Sequence, residues 1–212
     1  NEIYGLTKGQ VSPTSRRGTL SPTTPRGSVA NPISPATMAL GVGARFVARS
    51  VDINQSHLVE VLKQAHANAG TSFVEIFQNC IVFNDATFAD FTDKAVAKEN
   101  QLLVEHGTPL LFGAERDRGL RLDPATWTLE VVRPGENGVR SEDVLVHDET
   151  NRTLATMLAG LEPPEFPMAL GVLYRDPAAT FDQQVLAQVE PESEGRGLAD
   201  LLYGGRTWKV GD

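Results

Sequence analysis

The sequence predicts an α/β protein with a parallel sheet flanked by helices, and three observations carry that expectation. Arg45-Phe46-Val47-Ala48-Arg49 sets a β-rich apolar centre between two charges, as a buried strand does. Across residues 56–69, Leu58, Val61, Leu62 and Ala65 recur at helical spacing, and Gly70 supplies a stop. Thr71 to Phe77 is a second β-rich run. Strand, helix, strand is the βαβ unit of a parallel sheet, closed by a right-handed crossover.

The other elements follow in chain order. Asn1-Glu2-Ile3-Tyr4-Gly5 reads as the end of a strand entering a glycine-rich loop, and with no initiator methionine the chain is expected to be cut from something longer. Residues 5–35 are dense in Gly, Ser, Thr and Pro; Ser12-Pro13, Ser21-Pro22, Thr24-Pro25, Asn31-Pro32 and Ser34-Pro35 each bias the backbone away from helix. Ala36 to Leu40 is a short helix. Beyond Cys80 the pattern loosens: 84–106 is charged and reads as helix or loop. Residues 110–112, 119–122 and 126–132 read as short strands, and 134–138 as a turn. Residues 150–161 suit a helix, 168–174 a strand and 180–190 a last helix. There are no repeats, and no linker composition marks an independent second domain. Residues 1–112 are expected to form a cofactor-binding core and 113–212 an extension of short strands and helices packed on it.

Composition narrows the setting. At 212 residues and 41% apolar content the chain can bury a core of its own. No stretch approaches the roughly 18 to 20 apolar residues of a membrane span, and no signal-peptide pattern opens the chain, so a cytoplasmic protein without membrane contact is expected. One cysteine makes no internal disulfide, in keeping with a reducing compartment. The net charge of -8 is uneven. Residues 1–50 carry Lys8, Arg16, Arg17, Arg26, Arg45 and Arg49 against Glu2, which is +5, leaving -13 for the rest. Such a quarter suits a local anion site such as one for a phosphorylated ligand, and equally a solvated basic loop.

Several chemistries lack their motifs. His57, His66, His106 and His147 show no zinc-like pairing. Neither a Gly-x-Ser-x-Gly elbow nor a Gly-Lys-Ser/Thr phosphate loop is present. Between Tyr4 and Phe46 there is no aromatic residue to stack on a base, so nucleic acid is not an expected partner. A basic-loop RNA contact is the weakest of the alternatives.

The opening segment, Asn1-Glu2-Ile3-Tyr4-Gly5-Leu6-Thr7-Lys8-Gly9-Gln10-Val11-Ser12-Pro13-Thr14, resembles the second half of the thiamine-diphosphate motif of 2-oxoacid:ferredoxin oxidoreductase β subunits. The likeness continues through Ser15-Arg16-Arg17-Gly18 and returns at Gly70-Thr71-Ser72-Phe73-Val74-Glu75-Ile76-Phe77-Gln78-Asn79-Cys80, covering nearly the whole chain. It is strongest to the two-subunit 2-oxoglutarate branch. The resemblance implies the C-terminal part of a thiamine-diphosphate-binding fold, lacking the Gly-Asp-Gly half of the motif. It implies oxidative decarboxylation of 2-oxoglutarate with coenzyme A to succinyl-CoA and CO2, electrons reaching ferredoxin through a [4Fe-4S] cluster, and an α subunit as partner. The piece alone is expected to be inactive.

The residue roles are likewise those the resemblance implies. The Asn1 side chain and the Ile3 carbonyl coordinate Mg2+, and Gly5, Leu6 and Thr7 sit near the diphosphate. Leu6 and Lys8 face the substrate or coenzyme A. Arg16 and Arg17 serve coenzyme A phosphates or anchor the subunit interface, with nothing to choose between the two. Cys80 is a cluster ligand in the family and, read without it, a small buried hydrophobe; Ile81 follows it where proline or a polar residue is common. No general base is identified. The rival expectation is a non-catalytic interaction module docking on a partner subunit.

Overall fold

The computed structural model describes residues 2–193, 197–204, 208 and 210. The chain forms two compact units, Asn1–Pro177 and Ala178–Asp212. In the first, the expected βαβ unit is present. Strand β3 (Phe46–Val51) is followed by helix α2 (Gln55–Ala67) and strand β4 (Phe73–Phe77), and β3 and β4 pair in parallel from Val47↔Phe73 to Val51↔Phe77. Ahead of them lie the two-residue strands β1 (Ile3–Tyr4) and β2 (Gln10–Val11) and helix α1 (Pro35–Gly41). Ser34 caps α1 by accepting the Thr37 N–H, and Pro35 occupies the first turn, where no N–H is required. Asn54 caps α2 through the His57 N–H.

After β4 come two single-turn helices, α3 (Ala89–Thr92) and α4 (Ala97–Asn100), then strand β5 (Gln101–Val104). Strands β6 (Leu111–Phe112), β7 (Arg118–Asp123) and β8 (Thr128–Val132) form a separate antiparallel sheet. Helix α5 (Arg152–Ala159) then leads to strand β9 (Met168–Arg175). The main sheet has the order β4-β3-β9-β5. It is mixed rather than all parallel: β9 runs antiparallel to β3 and parallel to β5. The chain returns from the β6–β8 excursion through α5 and inserts β9 between two earlier strands, a direction no local pattern reveals. Strand β5 is the other departure, since 84–106 reads as helix or loop; it is four residues long and borders the sheet. The 112/113 boundary falls inside the first unit, with β9 from beyond it at the sheet's centre.

All six residues of β3 are buried, which explains its apolar run. On one face Val47 joins Leu102, Leu158 and Leu173 beneath α1 and α5. On the other, Phe46 and Ala48 pack with Val61 of α2 and Val172. Burying each large apolar side chain is worth roughly 1.5–3 kcal/mol, and β3 collects that on both faces. Toward one end of the sheet, Phe77, Phe88 and Phe91 stack edge to face, with centroids 5.2 Å apart for Phe77 with each of the others. The second unit contains helix α6 (Phe181–Ser193) and helix α7 (Leu198–Tyr203), the latter started by the Asp200 carboxylate accepting the Gly197 N–H.

Candidate cofactor site

Strands β1 and β2 pair Ile3 with Val11 and Tyr4 with Gln10, closing the loop 5–9. The loop curls on itself: Gly9 N–H donates to Tyr4 O at 2.9 Å, Lys8 N–H to Gly5 O at 3.0 Å, and the Thr7 hydroxyl to Tyr4 O at 3.5 Å. Lys8 (φ 66°) and Gly9 (φ 92°) take left-handed backbone, which glycine tolerates and lysine adopts at some cost. The Ser12-Pro13-Thr14-Ser15 stretch anchors the base. Thr14 Oγ1 accepts Glu2 N–H at 3.2 Å, the Ser15 hydroxyl donates to Glu2 O, and Ser15 Oγ accepts Ser12 N–H at 2.8 Å. These short polar side chains fix the strand end from which the loop departs.

At the tip, Leu6 is 99% exposed, and Gly5, Thr7 and Lys8 are exposed with it. Ile3 is buried. Asn1 lies outside the described residues. Arg16 is engaged by carboxylates, 3.3 Å from Glu2 and 3.1 Å from Asp90. Glu2 also accepts the Thr87 hydroxyl at 3.0 Å; burial pushes its pKa up, and the Arg16 charge opposes that rise. Arg17 is exposed and makes no ion pair among the described residues.

The turn that starts at Cys80 is brought to this loop from far along the chain. It closes with Asn84 N–H on Cys80 O at 3.0 Å and carries Phe83. The Phe83 ring lies 3.1 Å from where a Cβ on Gly9 would stand and 3.9 Å from one on Gly5. The two segments therefore touch, and Gly9 is needed both for its dihedral and for the space. Backbone N–H groups of Phe83 and Val82 point at the partly exposed thiol and hold its pKa below the ordinary cysteine value. Nothing in the sequence identified Phe83, Glu2 or Asp90; the apolar run Ile81-Val82-Phe83 after the cysteine was the one available signal.

Behind β1 lies a cavity of about 770 Å³, walled by Glu2, Ile3 and Tyr4 on one side and by β4 on the other. Its lining includes Arg49, which is only 4% exposed. Arg49 donates from Nε to Glu75 Oε2 at 2.8 Å and from Nη2 to Ser34 Oγ at 3.3 Å, and its guanidinium lies 5.7 Å from the Phe77 ring centroid. A buried charge needs such pairing, and this one joins β3, β4 and the cap of α1.

A mixed sheet flanked by helices, with a glycine-bearing loop on a separate two-stranded ribbon, makes this an α/β domain. Residues 1–76 match the family model described as thiamine pyrophosphate enzyme, C-terminal TPP binding domain. The chain is 36% identical over 218 residues to the 2-oxoglutarate oxidoreductase subunit KorB of Mycobacterium tuberculosis, covering 99% of this chain and 57% of that subunit. It is also 36% identical over 98 residues to the 2-oxoacid:ferredoxin oxidoreductase subunit beta of Saccharolobus solfataricus, covering 46% of this chain and 32% of that one. Among solved structures it resembles the 2-oxoglutarate:ferredoxin oxidoreductase of Magnetococcus marinus with 2-oxoglutarate, coenzyme A and succinyl-CoA bound. The TM-score is 0.65 at 26% identity, covering 98% of this chain and 56% of that one. Along nearly its whole length the chain is thus similar to β subunits of the 2-oxoacid:ferredoxin oxidoreductases. It spans about half the length of the KorB subunit it matches end to end.

Proposed function

We propose that this chain is part of the thiamine-diphosphate-binding β subunit of a 2-oxoglutarate:ferredoxin oxidoreductase. Such an enzyme decarboxylates 2-oxoglutarate with coenzyme A to succinyl-CoA and CO2 and passes the electrons to ferredoxin. The observation that supports the reading is the packing of Phe83 on Gly9, which holds the turn following Cys80 against loop 5–9 although the two are far apart in sequence.

The residues fit the groups this reading requires. Loop 5–9 holds no acidic side chain, and its glycines let backbone approach a phosphate closely. The Ile3 carbonyl, on a strand end pinned by Thr14 and Ser15, and the Asn1 side chain would hold Mg2+, with phosphate oxygens and water completing the shell. Bound here, thiamine diphosphate supplies the carbon nucleophile and electron sink that decarboxylation of a 2-oxoacid requires. The chain's part is to position: Gly5, Leu6 and Thr7 flank the diphosphate, and Lys8 offers a compact positive charge to anionic substrate. Cys80, with N–H donors on its sulfur, suits a thiolate ligand of a [4Fe-4S] cluster whose other three thiolates come from outside this chain. Exposure of the loop tip fits a site completed by an α subunit. No helix among the described residues is long and apolar enough to cross a membrane, and a cytoplasmic setting accords with thiol and cluster chemistry.

The test is to co-express the full-length subunit with its partner subunit and follow dye reduction dependent on 2-oxoglutarate and coenzyme A. The expected result is turnover with 2-oxoglutarate well above pyruvate, and loss of the cluster's visible absorbance and of dye reduction in Cys80→Ser. Preference for pyruvate would move the enzyme to a sister branch. Intact cluster absorbance in Cys80→Ser would remove Cys80 from the ligand set, and absence of any 2-oxoacid turnover would leave a non-catalytic interaction module.

A further inference from the structure

The main sheet ends on β5, and no strand pairs with β5 on its outer side. Val104 O lies against Gly171 of β9. By the alternation of a strand, the N–H and C=O of Leu103 therefore face away from β9, and they make no hydrogen bond among the described residues. The Leu103 side chain is 51% exposed, between the buried Leu102 and Val104. Charge or proline commonly blunts such an edge against pairing with another chain; Gln101-Leu102-Leu103-Val104 carries neither.

Two hollows flank this edge. One, of about 440 Å³, is walled by the apolar Ile53, Leu111 and Phe112 and carries Lys98 and Arg116, with no acidic side chain in its lining. The other, of about 710 Å³, carries Glu60, Glu105 and Glu149, together with His57 and His106. Leu103 and Arg116 line both, so the two meet as one groove along β5. Lys98, Glu105 and Arg116 make no ion pair among the described residues, and Glu60 is matched only by Lys63, at 3.9 Å on the open surface. Glu149 is already paired with Arg175. Lys98 precedes β5 and Glu105 follows it, so the groove is cationic at the start of the strand and anionic at its end.

A groove with an unpaired main-chain edge in its floor suits an extended polypeptide better than a compact small molecule. An added strand satisfies the Leu103 N–H and C=O, and the hollows on either side of Leu103 accept its side chains. The charges then select the occupant, because a segment with like charges at both ends is repelled at one end of the groove.

We infer that the β5 edge is a docking groove for an extended segment of another polypeptide. That segment is acidic where it passes Lys98 and Arg116, basic where it passes Glu60 and Glu105, and apolar between. The groove lies at the opposite border of the sheet from β4 and does not depend on the enzymatic reading.

The probe is a fluorescein-labelled heptapeptide, Asp-Val-Thr-Val-Thr-Val-Lys, titrated by anisotropy into the full-length subunit, alone and in complex with its partner subunit. Saturable binding is expected, weakened about five-fold when both ends are Asp or both are Lys. N-methylation of alternate peptide nitrogens should weaken it about ten-fold, and binding should slow hydrogen exchange at the Leu103 amide. The double variant Lys98→Glu/Arg116→Glu should reverse the preference, so that the peptide with Lys at both ends binds better than the original probe. Binding to the subunit alone but not to the complex supports the groove and identifies a strand of the partner subunit as its occupant. Absence of binding to either, equal binding of all the peptides, or an unchanged preference in the double variant overturns the inference. So does hexanoate binding beside Leu103 as tightly as the probe, which makes the groove a small-molecule site.

Discussion

Glu75 and Arg49 form the most deeply buried ion pair described in this chain, with side chains 9% and 5% exposed at 2.8 Å. Removing one member leaves the other charge uncompensated, so Glu75→Ala should lose about 3–5 kcal/mol of stability in urea denaturation. An effect below about 1 kcal/mol would show that water reaches the guanidinium. His147 poses the complementary case. Its Nε2–H donates to Val172 O at 2.8 Å, and Nδ1 is buried without a partner. Burial holds its pKa below 6.5, with His57 shifted the same way for the same reason. Below pH 6.5 the unfolded chain therefore binds protons that the folded chain refuses. Stability should fall as pH drops from 6.5 toward the folded pKa, by up to about 1.4 kcal/mol per pH unit for each proton. Denaturation midpoints between pH 7.5 and 5 would check this, and His147→Gln should show the shallower slope.

At the level of elements, the β9–β5 pairing depends on one residue without a side chain. Gly171 has φ of 125°, and a Cβ there would stand 2.5 Å from Val104 O. Gly171→Ala must push the strands apart or twist β9, so a cost of about 2–4 kcal/mol is expected, read as a lower melting temperature. A melting point equal to wild type would mean that β5 shifts freely at the edge of the sheet. Loop 5–9 is built on the same logic, with Gly9 beneath Phe83, and the role proposed for it is placement of a ligand rather than closure of a sheet.

For the whole molecule, burial is uneven across the main sheet. Strand β3 and all but the last residue of β9 are buried, while β5, at the border, alternates buried with open positions. Hydrogen exchange should follow this gradient, with β3 and β9 amides opening last and β5 and the β6–β8 sheet earlier. Exchange of β3 as fast as β5 would contradict a core organised around the central pair. The charge distribution is also a property of the whole: an acid-free stretch from Ile3 to Val51 on a chain of net charge -8 concentrates positive potential where the anionic ligands are proposed to bind.

What the sequence by itself determined is what is local. The β3–α2–β4 unit, the strands and helices between 110 and 190 and the family likeness of residues 1–14 and 70–80 are all written in short-range periodicity, punctuation and motif. Strand β5 escaped because four residues within a charged region carry too little periodicity to stand out. The antiparallel setting of β9 escaped because strand direction in a sheet depends on where the chain re-enters, not on composition. Only the tertiary structure decided the fates of Arg16 and Arg17, alike in sequence. Contact with Glu2 and Asp90 takes up Arg16, and none of the described acids reaches Arg17. It alone also brought the turn after Cys80 against loop 5–9. Such pairings are set by the packing of distant backbone, and distance along the chain holds no record of them.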